Sequence, residues 1–244
     1  MSFIGLHFQG RWGNQLFEYA FARGFAERNG LTLHTDPWVG QKIFQIDDPP
    51  IVMHHVRCNR DENNIRDGDK DFTFVSYCQN QKCADYYSVD QVREWFNLLP
   101  EFRDKLSSIT PSENMLLAHR RNGDYKGSGF PVISEIAYLR ACQKHGCNPE
   151  EMRFITEETQ IIHPYFKNGL EFLPDFYQLM CARTLFRGNS TFSWWAATLG
   201  GGKIYAPVIK GLLGGVEHDD VPFVEGNYPA CCDLSFVSDI HLKP

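Results

Sequence analysis

The sequence predicts an α/β protein built on parallel sheets, and three observations carry that prediction. Short runs of β-forming residues alternate with stretches of helical periodicity. Glycine-bearing turns sit where strands give way to helices. The alternation opens at residue 2, loses definition over residues 38–112 and restarts at Met115, which divides the chain in two. Strands joined through helices run parallel, with helices on both faces of the sheet. A chain of 244 residues buries a sizeable core without needing disulfides or metals.

Taken in order, Ser2 to Phe8 is the first strand and Gln9 to Gln15 a turn bearing Gly10 and Gly13. Leu16 to Arg28 is a helix. Phe17, Phe21 and Phe25 recur at a spacing of four, with Leu16, Ala20 and Ala22 widening the stripe. Asn29-Gly30 stops it, and Leu31 to Thr35 is the next strand, ended by Asp36-Pro37. Between 38 and 112 the pattern gives a strand at Phe72 to Cys78, a helix from Val89 to Leu99 closed by Pro100, and a boundary at Thr110-Pro111-Ser112. The second half reads as strand Met115 to Ala118, polar turn His119 to Gly129, helix Ser134 to His145, and strand Met152 to Thr156. A short helical piece follows at Gln160 to Phe166, then a strand at Leu170 to Leu173 and a helix at Asp175 to Ala182. Thr184 to Phe186, Ser190 to Leu199 and Lys203 to Ala206 complete the alternation as strand, helix and strand. The tail carries no readable order.

Composition narrows the function classes. Hydrophobic residues at 43% and charged residues at 22% exclude long disorder, collagen and coiled coil. A net charge of −6 argues against a general nucleic-acid binder, which carries basic excess. No stretch approaches the roughly 20 apolar residues of a membrane helix. The first residues carry no basic segment ahead of a long apolar run, so no secretory signal is expected. The eight cysteines, Cys58, Cys78, Cys83, Cys142, Cys147, Cys181, Cys231 and Cys232, form no C-x-x-C pair, and no metal site is expected. The expectation is a cytoplasmic protein with reduced thiols.

Three constellations carry chemistry-bearing residues. Gly10-Arg11-Trp12-Gly13-Asn14-Gln15 joins the first strand to the first helix. Glycines allow close backbone approach, a helix start offers amide donors, and Asn14 and Gln15 can orient hydroxyls or a phosphate. The same glycines also serve a plain tight turn. His119-Arg120-Arg121-Asn122-Gly123-Asp124-Tyr125 lies at the carboxyl end of a strand, where open α/β sheets bind ligands. A guanidinium there can hold a diphosphate in two-point fashion, or the pair can be a solvated charged loop. Asn189-Ser190-Thr191-Phe192-Ser193-Trp194-Trp195 sets hydroxyl residues ahead of an apolar helix. Ser190 or Thr191 suits an N-cap, and the same hydroxyls and amides suit an anion. At least one of the adjacent tryptophans is expected in the core between the lobes. Asp175 opens a helix, either as a cap or as an acceptor for a base or ribose. Glu157 and Glu158 follow a strand at the same sheet edge.

Together these segments resemble the α-1,2-fucosyltransferases of glycosyltransferase family 11. Gly10 to Ala20 is similar to that family's G-R-L-G-N-Q-L-F-Q-Y-A segment, and His119 to Tyr125 to its H-x-R-R-G-D-Y segment. Asp175 followed by Asn189 to Ala197 is similar to its D…N-S-S-F-S-W-W-x-A segment, and the three occur in the family's order. The resemblance implies a GT-B architecture, two Rossmann-like domains facing a cleft. Residues 1–112 would form the acceptor side and 113–244 the GDP-sugar side. It implies inverting, metal-independent transfer of fucose from GDP-fucose to a glycan hydroxyl, O2 of a terminal galactose, with no cofactor. His119 would contact the nucleotide, Arg121 the β-phosphate and Asp175 the base. Ser190, Thr191, Phe192 and Ser193 would line the diphosphate, with Glu157 at the same edge. Asn14 would face the reacting sugar, flanked by Gly13 and Gln15. Asp124 and His7 are the candidate bases. The position of the second motif arginine holds Asn122, while Arg120 occupies the variable position. The alternatives are transfer from another GDP-sugar, or a nucleotide- or glycan-binding module without turnover.

Overall fold

A computed structural model describes residues 2–51, 59–110, 115–157 and 163–227. The chain divides into two compact units, with the division between Phe102 and Arg103. The boundary expected at Ser112 lies outside the described residues, as do Glu158, Cys58, Cys231, Cys232 and the start of the helical piece at Gln160. His163 to Phe166, the rest of that piece, forms a turn.

The N-terminal unit runs β1 (Phe3–Leu6), α1 (Trp12–Asn29), β2 (Thr32–Thr35), α2 (Gly40–Ile43), β3 (Asn59–Arg60), β4 (Phe72–Phe74), α3 (Gln81–Ala84) and α4 (Val89–Trp95). The helix α5 (Pro100–Ile109) carries the division itself. The strands form one sheet in the order β2-β1-β4-β3. All its pairings are parallel, with Phe3 opposite Thr32 and Ile4 opposite Phe72. The stripe read from the sequence on α1 is buried throughout, Leu16, Phe17, Ala20, Phe21, Ala22 and Phe25 alike. Gly30, at φ 62°, ends the helix in the left-handed region. The Leu31 amide donates back to the Ala26 carbonyl at 2.9 Å, the Schellman closure.

Two expectations in this unit need correction. The strand at 72–78 ends at Phe74, and Cys78 sits at φ 53°, outside any strand geometry. The helix at Val89 stops at Trp95. It is nucleated by a capping box between Ser88 and Gln91. Pro100 does not close it but occupies the first position of α5, where a missing amide costs nothing.

The C-terminal unit continues with β5 (Leu116–His119), β6 (Val132–Ile133), α6 (Glu135–Lys144), a 3-10 turn at Pro149–Glu151, β7 (Arg153–Ile155), α7 (Leu173–Cys181), β8 (Thr184–Phe186), α8 (Thr191–Leu199), β9 (Lys203–Pro207), β10 (Glu217–His218) and β11 (Phe223–Glu225). The main sheet has the order β11-β9-β8-β5-β7, and β10 pairs separately with β6. β9, β8, β5 and β7 are parallel; β11 adds to the edge antiparallel, so this sheet is mixed. On one face Leu116, Ala118, Phe186 and Tyr205 pack on Tyr138, Ala141 and Cys142 of α6. Trp194 and Trp195 of α8 are both buried in this unit, their rings edge to face at 5.0 Å.

The strand expected at Leu170 to Leu173 is absent. Asn168 and Gly169 take φ values of 57° and 90°, which turn the chain. The Leu173 amide bonds the Leu170 carbonyl at 3.0 Å, and α7 starts there with Pro174 in its first turn. A four-residue apolar run fits a buried strand and a buried helix entry equally well, and the turn ahead of it selects the helix.

Candidate functional site

In the C-terminal sheet the chain leaves β5 toward β7 on one side and returns to β8 on the other. The carboxyl ends of β5 and β8 are therefore the topological switch point, the place where open α/β sheets hold ligands. Ala118 pairs with Phe186, so His119 and Arg187 are the residues at which the two strands part.

His119 is 4% exposed. Its carbonyl accepts from the Tyr138 hydroxyl at 2.8 Å, and its ring lies 5.4 Å from that of Phe192. Its Nδ1 is buried with no hydrogen-bond partner among the described residues. Burial, followed by the charges of Arg121 and Arg187, lowers the imidazole to about 3, so it is neutral at working pH. Gly188 is required by close approach. A Cβ there would lie 2.7 Å from the His119 carbonyl oxygen, closer than real Cβ contacts come.

The Arg121 guanidinium is 13% exposed and turned inward onto two carboxylates. Its Nη2 lies 2.9 Å from Asp124 Oδ1, and its Nη1 meets Glu157. Glu157 also accepts from the Gly123 amide at 2.7 Å. Asp124 and Glu157 are thus held by Arg121. Asp124, expected as a catalytic base, is instead occupied by its ion pair with the Arg121 guanidinium. Arg120 pairs with Glu217 at 2.7 Å.

The α8 start supports the N-cap reading of Ser190, whose Oγ accepts from the Phe192 amide at 3.2 Å. Thr191 follows at the first helical position, buried. Ser193 was expected to line a ligand. Its hydroxyl instead turns inward, donating to the carbonyls of Gly188 (3.3 Å) and Ser190 (3.2 Å), because a mid-turn serine satisfies itself on the preceding turn. Tyr125 ties the two segments together, its hydroxyl donating to the Asn189 carbonyl at 3.1 Å. Asp175 lies in the first turn of α7, at no strand end, and burial raises its carboxyl to about 6. The neighbouring Phe176 ring contacts that of Phe192 at 5.1 Å.

The N-terminal sheet has its own switch point, at the carboxyl ends of β1 and β4. Gly10, at φ 64°, turns the chain after β1, and α1 begins at Trp12. Asn14 Oδ1 accepts from Gln79 Nε2 at 3.0 Å, which joins the α1 start to the loop after β4. Gln15 Nε2 braces the Gly10 carbonyl at 3.4 Å, and Gly13 is buried in the first turn. His7 follows β1, its side chain 28% exposed, with Nδ1 2.9 Å from Asp36 Oδ2.

Two buried groups were missed by sequence reasoning. Glu18 on α1 is fully buried and accepts from the Gln9 amide at 2.9 Å, and burial raises its carboxyl to about 8. Its only sequence signal is a charge inside an apolar helical stretch. Arg187 is fully buried at the end of β8. A charged residue directly after the buried strand Thr184 to Phe186 was its signal.

Two switch points, each at the carboxyl edge of a sheet with parallel order at its centre, define an α/β protein of the GT-B fold class. Solved structures with this fold include the NodZ α-1,6-fucosyltransferase soaked with GDP-fucose. That chain is 16% identical, with a TM-score of 0.58 over 92% of this chain and 99% of that one. The same enzyme co-crystallized with GDP gives 16% identity and a TM-score of 0.59 over 93% and 99%. The NodZ fucosyltransferase from Bradyrhizobium gives 17% and 0.55 over 84% and 95%. No family model matches the sequence, and no curated protein sequence matches it. At this identity the likeness establishes the fold, and function is argued from the sites. Among the described residues, no helix is long and apolar enough to cross a membrane.

Proposed function

We propose that the chain is an inverting glycosyltransferase that moves L-fucose from GDP-fucose to a glycan hydroxyl, O2 of a terminal galactose. The observation that carries this reading is the C-terminal switch point. A neutral buried histidine, two arginines and the α8 start converge on one sheet edge. Fixed charge and amide donors of this kind suit a leaving diphosphate, which gains negative charge as the bond to the sugar breaks. The solved structures sharing the fold are described as bound to GDP or GDP-fucose. The galactose O2 linkage rests on the sequence resemblance, whereas those structures are named α-1,6 enzymes.

In this reading the acceptor oxygen attacks the anomeric carbon from the face opposite GDP. The carbon–oxygen bond to the β-phosphate breaks, and its electron pair stays on the phosphate oxygen. Arg121 and the α8 start stabilise that charge. Asn14 and Gln15 orient the sugar hydroxyls. The hydroxyl proton passes to His7 in preference to Asp124. Asp36 is an acceptor, so His7 Nδ1 carries the hydrogen between them, and Nε2 keeps the lone pair. Asp175 accepts from the guanine base. No metal takes part, so chelation with EDTA leaves turnover unchanged.

The test is incubation with GDP-fucose and a panel of galactose-terminated acceptors, followed by linkage analysis. An α-1,2 product supports the reading, and an α-1,6 product replaces the linkage. Transfer from a different GDP-sugar replaces the donor. GDP binding without transfer leaves a binding module.

A further inference from the structure

Resting on the GDP reading of the C-terminal edge, we infer that Glu157 is a resident anion that competes with the diphosphate for Arg121 and the Gly123 amide, and so favours release of GDP after transfer. β5 and β7 end level, with His119 paired to Ile155, and two residues further on Arg121 meets Glu157. Both carboxylate oxygens are engaged. Oε1 faces Arg121 Nη1, and Oε2 accepts from the Gly123 amide at 2.7 Å. A guanidinium and a backbone amide are donors that suit phosphate oxygens equally well. Gly123 leaves its amide open to such an oxygen, since an added Cβ would overlap Glu157 Oε2. Two anions drawn to one guanidinium edge repel each other, so the phosphate enters as the carboxylate leaves.

The guanidinium need not move in this exchange. Its Nε and Nη2 lie 3.0 and 2.9 Å from Asp124 Oδ1. Its central carbon lies 5.6 Å from the centre of the Tyr125 ring, whose hydroxyl is tied to the Asn189 carbonyl. Nη1 is the atom that meets Glu157. The Arg121 side chain is 13% exposed and that of Glu157 33%, so the carboxylate can swing out to water while the arginine stays in place. Glu157 thereby keeps the donors aimed as a phosphate needs them and then hands them over. The attraction of Arg121 for the leaving diphosphate is retained, and the cost of displacing the carboxylate moderates it. Glu157 touches the donors and not the reacting atoms, so it is a positioning residue.

The experiment is calorimetric titration of the full chain with GDP and with guanosine, which lacks the diphosphate. Wild type is compared with Glu157→Gln, of similar shape and uncharged, with Glu157→Ala, and with Asp124→Asn, an equal charge change beside the same guanidinium. The expected result is GDP affinity about fivefold tighter in both Glu157 variants, the scale of a partly exposed ion pair, with guanosine affinity within about twofold of wild type. Asp124→Asn does not tighten GDP, because Asp124 orients the guanidinium. GDP affinity unchanged or weaker in the Glu157 variants overturns the inference. Equal tightening in Asp124→Asn does so too, since that marks a general charge effect. Weaker guanosine binding in the Glu157 variants also overturns it, because Glu157 would then serve the nucleoside. Either Glu157 variant decides alone if the other fails to fold. Wild type that binds no GDP overturns the GDP reading as well, whereas failure with wild-type GDP binding intact leaves that reading standing.

Discussion

The two sheet edges use opposite means. At the C-terminal edge His119, Arg121 and Arg187 are 0–13% exposed, and the anionic groups beside them are held by salt bridges. At the N-terminal edge the groups are amides and a half-exposed histidine: Asn14 on Gln79, Gln15 on Gly10, His7 on Asp36. A buried charged edge suits an anion whose charge grows during reaction, because its dipoles need not reorganise. A half-exposed neutral edge suits a hydroxyl-bearing sugar, which must be turned and relieved of a proton. The difference teaches that two parallel sheets of the same kind can present edges of opposite character, one buried and charged, the other half-exposed and neutral.

The largest effect that breaks this comparison is expected at the charged edge. Arg121→Ala should lower kcat/KM by about 2–4 kcal/mol of transition-state stabilisation, by analogy with loss of a charge-stabilising donor. Steady-state kinetics check it, and wild-type turnover would refute the assignment. Next comes the neutral edge. His7→Gln should reduce kcat roughly 10²-fold, the range for a general base, with GDP affinity unchanged. Asp36→Asn should give a smaller loss, and a His7→Gln enzyme with full kcat removes the base from this edge.

A third test sharpens the contrast in burial. Glu18 titrates near 8 in the folded chain, well above its ordinary carboxylate value, because burial favours the neutral form. Between roughly pH 4.5 and 8 the folded state holds a proton that the unfolded state has lost. Stability therefore falls as pH rises through that window, by at most about 1.4 kcal/mol per pH unit from this group. Glu18→Gln should flatten the dependence and raise stability at pH 8, measured by denaturant unfolding across pH. An unchanged pH profile would show that Glu18 titrates normally. The smallest effect is at the α8 cap, where Ser190→Ala should cost about 1 kcal/mol of stability. A thermal melt unchanged from wild type would mean that the cap contributes nothing.

Much of the architecture was legible because periodicity reports burial directly. The α1 stripe, Gly30 as its stop and the strand–helix alternation from Met115 onward all follow from spacing. Legibility failed where one local pattern fits two structures. Leu170 to Leu173 became a helix entry because of the left-handed turn at Asn168 and Gly169, and Pro100 became a helix start. The tail was unreadable because β10 and β11 are two- and three-residue strands whose pairing partners are distant in sequence.

The sequence by itself determined that strands alternate with helices, and that His119, Arg121, Ser190 and Asn14 stand at strand-to-helix junctions. Local spacing and turn chemistry suffice for that. Only the tertiary structure decided which of them face carboxylates, which face one another and which lose water. Pairing Ala118 with Phe186 brings His119 beside Arg187 across a separation no local pattern records. Burial and charge neutralisation arise from such long-range neighbours, and they set whether a side chain is a ligand, a cap or a hidden charge.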